Sequence, residues 1–544
     1  MKSCPDCHLR RESFLYDLKG KPRRRSRCCH RCSHCKTLLL PSETSALCCN
    51  FHSSHGPMVL PALPKLPQFF CKRLKNSQEF RSICRQLNHI FSFTQMGATS
   101  KGFIDLPVPS GVTLQGRTYH VLKPFADSID IPFWYLLDTE YRSNTEKIEK
   151  LIRRNKLPKN FIKILTDTVL NAMQKLHNPF YQMLKSTFQI NSVSRIEEEE
   201  KFQIIIHPKD RPTGISEVGS VRSVPTISTN SKLQPRMVFS KWFDEELDEP
   251  EYIDILSAEL EPLAYPILFP CGSLGWHSNM FIDGHKLTLQ KYLRQLLLRE
   301  ERFHFMNRLT QEFVVDMHSR MEDERLQYIK NAQKQHSITG ETQTDETIIA
   351  EGGAQPSSQK IYLPSSFPGS FRRNHLLLEN GLARVRQYGL PQLFITMTCN
   401  PNWPEIKDRL LPGQTAADRP LLVARVFHKK LMEMREDIKK LFGGLQYRLD
   451  VIEFQKRCLP HIHELICLLI NILQTMAEID KWISAEMPRE EGVLKDLVQK
   501  YMIHNHSDRC GYLRTGKCCC LIIFHFFFLN SIYISYIVAT CFHR

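Results

Sequence analysis

The run Val451-Ile452-Glu453-Phe454-Gln455-Lys456-Arg457-Cys458-Leu459-Pro460-His461-Ile462-His463-Glu464-Leu465-Ile466 constrains the fold more tightly than any other part of the chain. β-Branched and aromatic residues lead up to Phe454, a turn passes through Arg457 to Pro460, and a second β-type run begins at His461. The expectation is two neighbouring antiparallel strands. Residues i and i+2 of a strand share a face, so His461 and His463 point together while Ile462 packs into the core behind them. The turn folds Glu453 back beside the pair. A carboxylate and two imidazoles on one face make a chelate for a divalent metal, and Lys456 and Arg457 lie beside it, suited to holding a phosphate. A pair of unliganded histidines on an exposed strand is the plainer reading, and H-x-H spacing alone does not separate the two.

Upstream, residues 389–398 form a turn followed by a strand in which Phe394, Thr396 and Thr398 share one face. Residues 399–406 make a sharp turn into a helix. Asp418-Arg419-Pro420 opens another, with Val423, Val426, Phe427, Lys430 and Leu431 at helical spacing. Strand, helix, strand, strand is an α+β order. Residues 146–190 and 286–330 also carry helical spacing, and the acidic stretch 244–261 is a solvated face. Polar stretches at 208–240 and 334–360 are linkers. The expected organisation is therefore multidomain: 1–60 Cys-rich and basic, 61–207 mixed α/β, 241–333 helical, 361–518 dense in motifs, and 521–542 an apolar tail.

The 544 residues carry 73 Lys and Arg against 57 Asp and Glu, a formal charge of +16. That surplus favours a polyanionic partner, either nucleic acid or an anionic membrane face. At 42% hydrophobic residues, wholesale disorder is excluded. The 19 cysteines are an odd number, and residues 1–30 lack the apolar stretch of a secretory signal, so a secreted disulfide scaffold does not fit. Eight cysteines fall within residues 1–49. Cys4-x2-Cys7, Cys32-x2-Cys35 and the pair Cys48-Cys49 have spacings that let thiolates grip Zn²⁺. Cys28, Cys29, His30, His34, His52 and His55 are further donors, and the spacing does not choose among them. Arg23, Arg24 and Arg25, in a basic run between the first pairs, suit phosphate contacts or nuclear import. A disordered basic arm with free thiols is the alternative.

The tail, Leu521 to Phe542, is apolar and uncharged. Its length is that of a bilayer-spanning helix, roughly 20 residues, so an apolar C-terminal helix acting as a membrane anchor is one expectation. The composition breaks abruptly after Cys518-Cys519-Cys520, which also suits translated non-coding sequence.

Several strings resemble the Helitron transposon protein. Phe394-Ile395-Thr396-Met397-Thr398-Cys399-Asn400-Pro401-Asn402-Trp403-Pro404-Glu405-Ile406 is similar to its first motif, and so is Asp418-Arg419-Pro420-x4-Arg425-Val426-Phe427-x-Lys429. Glu453-Phe454-Gln455-Lys456-Arg457-x-Leu459-Pro460-His461-x-His463 resembles its second. Leu363-Pro364-Ser365-Ser366-Phe367, Tyr265-Pro266-Ile267-Leu268-Phe269-Pro270 and the regions of Cys32–Cys49 and Phe80–Phe93 agree with it. The resemblance spans most of residues 30–518. It implies that 361–518 is an antiparallel-sheet HUH-endonuclease-like core flanked by helices. It also implies a nuclear protein that binds DNA, preferably single-stranded, with Mg²⁺ or Mn²⁺ on His461, His463 and Glu453. Trp403 or Phe454 would stack bases.

The chain departs from that family in three ways. Its catalytic tyrosines belong on a helix beyond the second motif, where the apolar tail stands instead, leaving Tyr533 and Tyr536 as weak candidates. The helicase portion that follows in the family is not read here. Gly511-x4-Gly516-Lys517-Cys518 mimics a phosphate-binding loop without the Ser or Thr that would ligate Mg²⁺. Finally, Cys458 replaces a glycine and Glu464 an aliphatic residue, and a charge on the core side of the histidine strand is costly unless it reaches solvent. The expectation is a truncated element that binds DNA and metal without nicking. A non-catalytic DNA-binding module using the Cys-rich arm, and a membrane-anchored protein, are the alternatives.

Overall fold

A computed structural model describes residues 29–41, 43–49, 56–98, 118–122, 149, 152–153, 157–158, 160, 164–182, 202–206, 237–241, 253–338, 363–454, 459–470, 473, 475–482, 487–492, 495–496, 520–523, 527–529, 532–534 and 538–541. These fall in two compact units, one built from 29–362 with 409–420, the other from 363–408 with 421–544. Mixed helices and small antiparallel sheets make the class α+β.

The larger unit opens with a hairpin, β1 (His30–Arg31) and β2 (Leu38–Leu39), and a short helix α1 (Ser45–Cys48). Helix α2 (Gln78–Phe91) starts where Ser77 Oγ accepts from the Phe80 amide at 3.1 Å. Its Phe80, Ile83, Leu87 and Ile90 recur on one stripe and are buried. A second hairpin, β3 (Thr94–Ala98) with β4 (Thr118–Leu122), follows. Helix α3 (Leu289–Arg299) is capped by Thr288, and α4 spans Asn307–Ile338. The helical stretch expected over 286–330 is thus interrupted, and α4 begins at Asn307 with a φ of 42°, a left-handed conformation that Asn tolerates better than most residues.

Aromatic rings dominate this unit's core. Phe313 sits edge-on to Tyr265 at 5.2 Å and 5.1 Å from Phe303. The buried indole of Trp276 donates to the Leu287 carbonyl at 2.7 Å. Buried ionisable groups here are held by partners, as they must be in a core. Arg320 pairs with Glu261 at 2.7 Å. Asp316 accepts from His120 Nε2 and from the Tyr265 hydroxyl, each at 2.8 Å.

The smaller unit contains α5 (Phe371–Tyr388), β5 (Leu393–Thr398), α6 (Pro404–Lys407), α7 (Pro420–Leu441), β6 (Leu445–Phe454) and β7 (Pro460–Leu468). Ser370 Oγ caps α5, and Gly389, at φ 89°, ends it. The chain turns from α7 into β6 through Gly443 and Gly444, both at positive φ. The sheet order is β6-β7-β5, antiparallel throughout, with β7 central. One face buries Leu393, Ile466 and Leu468 against Ile438 of α7, with Leu473 and Ile479 completing the cluster.

Glu464 projects from this covered face and does not reach solvent: it is 0% exposed. Arg435 of α7 reaches it instead, Nε to Oε1 at 2.6 Å, and also lies 3.1 Å from Asp450. The expected charge-in-core problem is met by pairing rather than by exposure.

The apolar tail differs from expectation. Its described residues are four short strands, β8 (Cys520–Ile523), β9 (Phe527–Leu529), β10 (Ile532–Ile534) and β11 (Val538–Cys541), pairing β8 with β11 and β9 with β10. Ile, Val, Phe and Tyr dominate them, and branched and aromatic side chains favour a pleated backbone over a helix. Among the described residues no helix is long and apolar enough to cross a membrane.

Candidate metal centres

The face of the small sheet away from α7 carries the histidine pair. Register fixes the neighbours: Glu453 of β6 lies opposite His461, Val451 opposite His463, and on the other side Thr398 and Thr396 of β5 face the same two histidines. Cross-strand partners share a face, so Glu453, His461, His463, Thr396 and Thr398 converge without any loop having to place them. One ligand atom from each of Glu453, His461 and His463 lies within 4.8 Å of the others.

His461 is buried, and its Nδ1 is 2.7 Å from Thr398 Oγ1. An Nδ1–H donating to that hydroxyl leaves the Nε2 lone pair bare, the arrangement that prepares an imidazole for a metal. Nε2 is buried with no hydrogen-bond partner among the described residues, and so is Nδ1 of His463. Burial, and then the His463 ring beside it, lower the pKa of His461, while Glu453 opposes them. The net effect favours the neutral ring that a metal requires. The His463 ring stacks on Phe394, centroids 5.7 Å apart and planes 9° from parallel. Its Nε2 sits 3.3 Å from Glu453 Oε1. Two imidazoles beside one carboxylate are a donor set that could hold a divalent metal ion.

The expected accessory residues divide. Phe454 is 68% exposed at the end of β6. Trp403 is half-buried under Lys430, whose Nζ is 5.8 Å from the ring centroid and 2.7 Å from Glu405. Lys456, Arg457 and Cys458 lie outside the described residues, as do Arg23, Arg24, Arg25, Cys4, Cys7 and Tyr536; of Tyr533 only its place in β10 is described. Missed by sequence reasoning was Arg435, whose helical position gave no sign that it would answer a glutamate on a distant strand.

In the larger unit, Cys32, Cys35, Cys48 and Cys49 form a second cluster, all four buried. The β1–β2 hairpin brings Cys32 and Cys35 to its turn, where the Cys32 amide donates to the Thr37 carbonyl at 2.9 Å and Lys36 takes φ 61°. Helix α1 delivers Cys48, with Cys49 following it. Cys32 Sγ is 3.6 Å from Cys49 Sγ, and Cys48 Sγ is 3.8 Å from it. Burial and neighbouring thiols push Cys49 up to about 12 and Cys48 higher still. At Cys32 burial is outweighed by amides of the turn, which bring it to about 7. Four thiols this close could hold a metal ion, and a four-cysteine set is consistent with zinc. Cys29 stands apart, accepting from Arg409 Nη2 at 2.8 Å, and His30 and His34 are exposed and outside the cluster.

Compared with known protein families, residues 289–466 match the family described as a Helitron helicase-like domain at the N-terminus. No curated protein matches the chain. The matched segment runs from the start of α3 into β7 and includes Glu453, His461 and His463. Residues 289–466 are thus similar to a Helitron helicase-like N-terminal domain, over about a third of the chain.

Proposed function

We propose that this chain is a Helitron-derived protein whose Glu453, His461 and His463 hold Mg²⁺ or Mn²⁺ against a single DNA strand, as in the HUH nickases of rolling-circle transposition. The observation that carries this reading is the pair of buried imidazole nitrogens without partners, on one sheet face, with a carboxylate in register beside them. A divalent cation bound there supplies Lewis-acid polarisation of a non-bridging phosphate oxygen. Thr398 orients His461, Phe394 orients His463, and burial keeps His461 neutral. Among the described residues, the hydrogen bonds and ring contacts given for the three donors are with one another, Thr398 and Phe394. The reading is metal-dependent DNA binding, in a nuclear setting, with nicking expected to be lost because the family's tyrosine helix is replaced by the apolar tail.

The full chain with Mn²⁺ and a labelled single strand is expected to show metal-stimulated binding, lost in His461→Ala and His463→Ala, and no covalent adduct. Binding indifferent to metal and to both substitutions overturns the reading. A covalent adduct lost in those variants would place a tyrosine at the centre and restore nicking.

The cysteine cluster favours a second reading, a zinc-bound module that binds DNA without catalysis. It predicts that Cys48→Ala with Cys49→Ala abolishes DNA affinity while metal-stimulated binding at His461 has nothing left to act on. Retained affinity in that variant would set the module aside.

A further inference from the structure

Helix α5 is unusual for its composition. None of its 18 residues is buried, yet it carries Phe371, Leu376, Leu377, Leu378 and Leu382, and Phe371 is 77% exposed. A helix of this length with an apolar share this large normally hides a stripe. Its basic residues are equally exposed: Arg372, Arg384 and Arg386 with His375, against the single acid Glu379. Neither Arg384 nor Arg386 is paired with a carboxylate among the described residues.

The helix is also placed informatively. A Cβ added at Gly381 would lie 3.5 Å from Leu449 of β6, an ordinary van der Waals contact, so the helix packs against the sheet there. Leu449 alternates with Val451 and Glu453 along β6 and therefore shares their face. At its C-terminal end, Tyr388 meets Tyr447 at 6.2 Å, and the Tyr447 hydroxyl donates to the Gly389 carbonyl at 2.6 Å. Traced back from Tyr388 to Gly381, the helix advances along β6 from Tyr447 towards Leu449, the direction in which Glu453 lies about 13 Å further on. So α5 lies on the histidine face, and α7 covers the other.

We infer that α5 is the surface along which a single DNA strand is held as it approaches the Glu453–His461–His463 centre, its arginines on the phosphates and Phe371 stacking a base. The inference rests on the proposed DNA-binding reading and adds the element that does the holding. Charge complementarity selects the occupant: an Arg-rich helix beside a site for a phosphate diester. The exposed aromatic ring selects a single strand over a duplex, because unpaired bases offer faces to stack. Phe371 already lies parallel to the His375 ring, 6.2 Å centroid to centroid and 5° between planes, both exposed.

The test uses the full chain and a fluorescein-labelled oligothymidine strand, with anisotropy titrations over a range of salt. Arg384→Ala with Arg386→Ala should weaken binding and reduce the slope of log affinity against log salt by about 1.4, since each phosphate contact on a single strand contributes about 0.7. Phe371→Ala should weaken single-strand binding about fivefold or more with the slope unchanged. Lys439→Ala with Lys440→Ala, the same charge loss at exposed positions of α7, should do neither. An unchanged slope in the arginine variant, or an equal loss in the α7 control, overturns the inference. Equal losses for a duplex of the same length overturn the single-strand assignment. Mn²⁺ binding, measured in parallel, stays intact in every α5 variant. Failure of the proposed centre instead shows as Mn²⁺ binding that His461→Ala leaves unchanged, with no metal-stimulated DNA binding in the unaltered chain.

Discussion

Replacing Arg435 with Met leaves the Glu464 carboxylate in a closed space with a single remaining cation. Glu464 is fully buried, whereas Arg435 is 13% exposed. The next guanidinium, Arg448, is 3.5 Å away and a third exposed. Glu464 Oε2 has no hydrogen-bond partner among the described residues even in the intact chain. Removing one partner of a buried pair costs about 3–5 kcal/mol, mostly because a charge is left without compensation. Replacing Glu464 with Leu is milder, because Arg435 keeps Asp450 at 3.1 Å and its partial exposure. The double variant Arg435→Met with Glu464→Leu should return to within about 1–2 kcal/mol of the parent, since apolar groups often replace a buried pair at no loss. Hydrogen exchange on peptides spanning 445–468 reads this unit separately from the rest of the chain. At about 1.4 kcal/mol per decade, the single Arg435 variant should speed the β7 amides by roughly two to three and a half decades, and the double variant by no more than about one and a half. An Arg435→Met variant with parental exchange, or a double variant as fast as the single, would refute the claim that this pair sustains the sheet.

Three further outcomes follow from the described geometry. The full chain should contain one zinc, measured by elemental analysis, and Cys48→Ala should contain none; unchanged zinc would remove the cluster from consideration. Because Cys49 and Cys48 are held protonated without a metal, zinc uptake releases protons, so affinity should fall as pH falls, and a pH-independent titration would contradict the four-thiol site. In the larger unit, burial alone would raise Asp316, but His120 and the Tyr265 hydroxyl outweigh it and hold its pKa below the usual carboxylate range. A depressed carboxylate stabilises above its unfolded pKa of about 3.9 and loses that contribution as pH falls through the folded value. Urea melts between neutral pH and pH 3 should therefore steepen in the acid range for the parent and less for Asp316→Asn; identical slopes would exclude the linkage.

Much of the small unit was legible because strand periodicity is local. Phe394, Thr396 and Thr398 were expected on one face, and they are; Ile462 was expected behind the histidines, and it is fully buried. Val423, Val426, Phe427 and Leu431 mark the buried stripe of α7 as their spacing suggested. The pairing of Cys32-x2-Cys35 with Cys48-Cys49 was legible as a set of donors, but its membership depended on a hairpin and a helix meeting in space. What stayed hidden was non-local. Arg435 and Glu464 are 29 residues apart, and nothing in either neighbourhood announces the other. The tail was read as either a membrane-spanning helix or translated non-coding sequence, and the helix expectation failed because its branched and aromatic residues set the described backbone to strand. The bareness of α5 was equally invisible, since an amphipathic pattern does not say whether anything covers it.

The central claim is that two imidazoles and a carboxylate on one sheet face bind a divalent cation. Pulsed electron paramagnetic resonance of Mn²⁺ added to the zinc-loaded full chain tests it without requiring activity. The account predicts one bound Mn²⁺ with coupling to two imidazole nitrogens, reduced to one nitrogen in His463→Ala and weakened about tenfold or more in Thr398→Val, which removes the hydroxyl that orients His461. Mn²⁺ that shows no nitrogen coupling, or the same coupling in the His461→Ala, His463→Ala double variant, would contradict it.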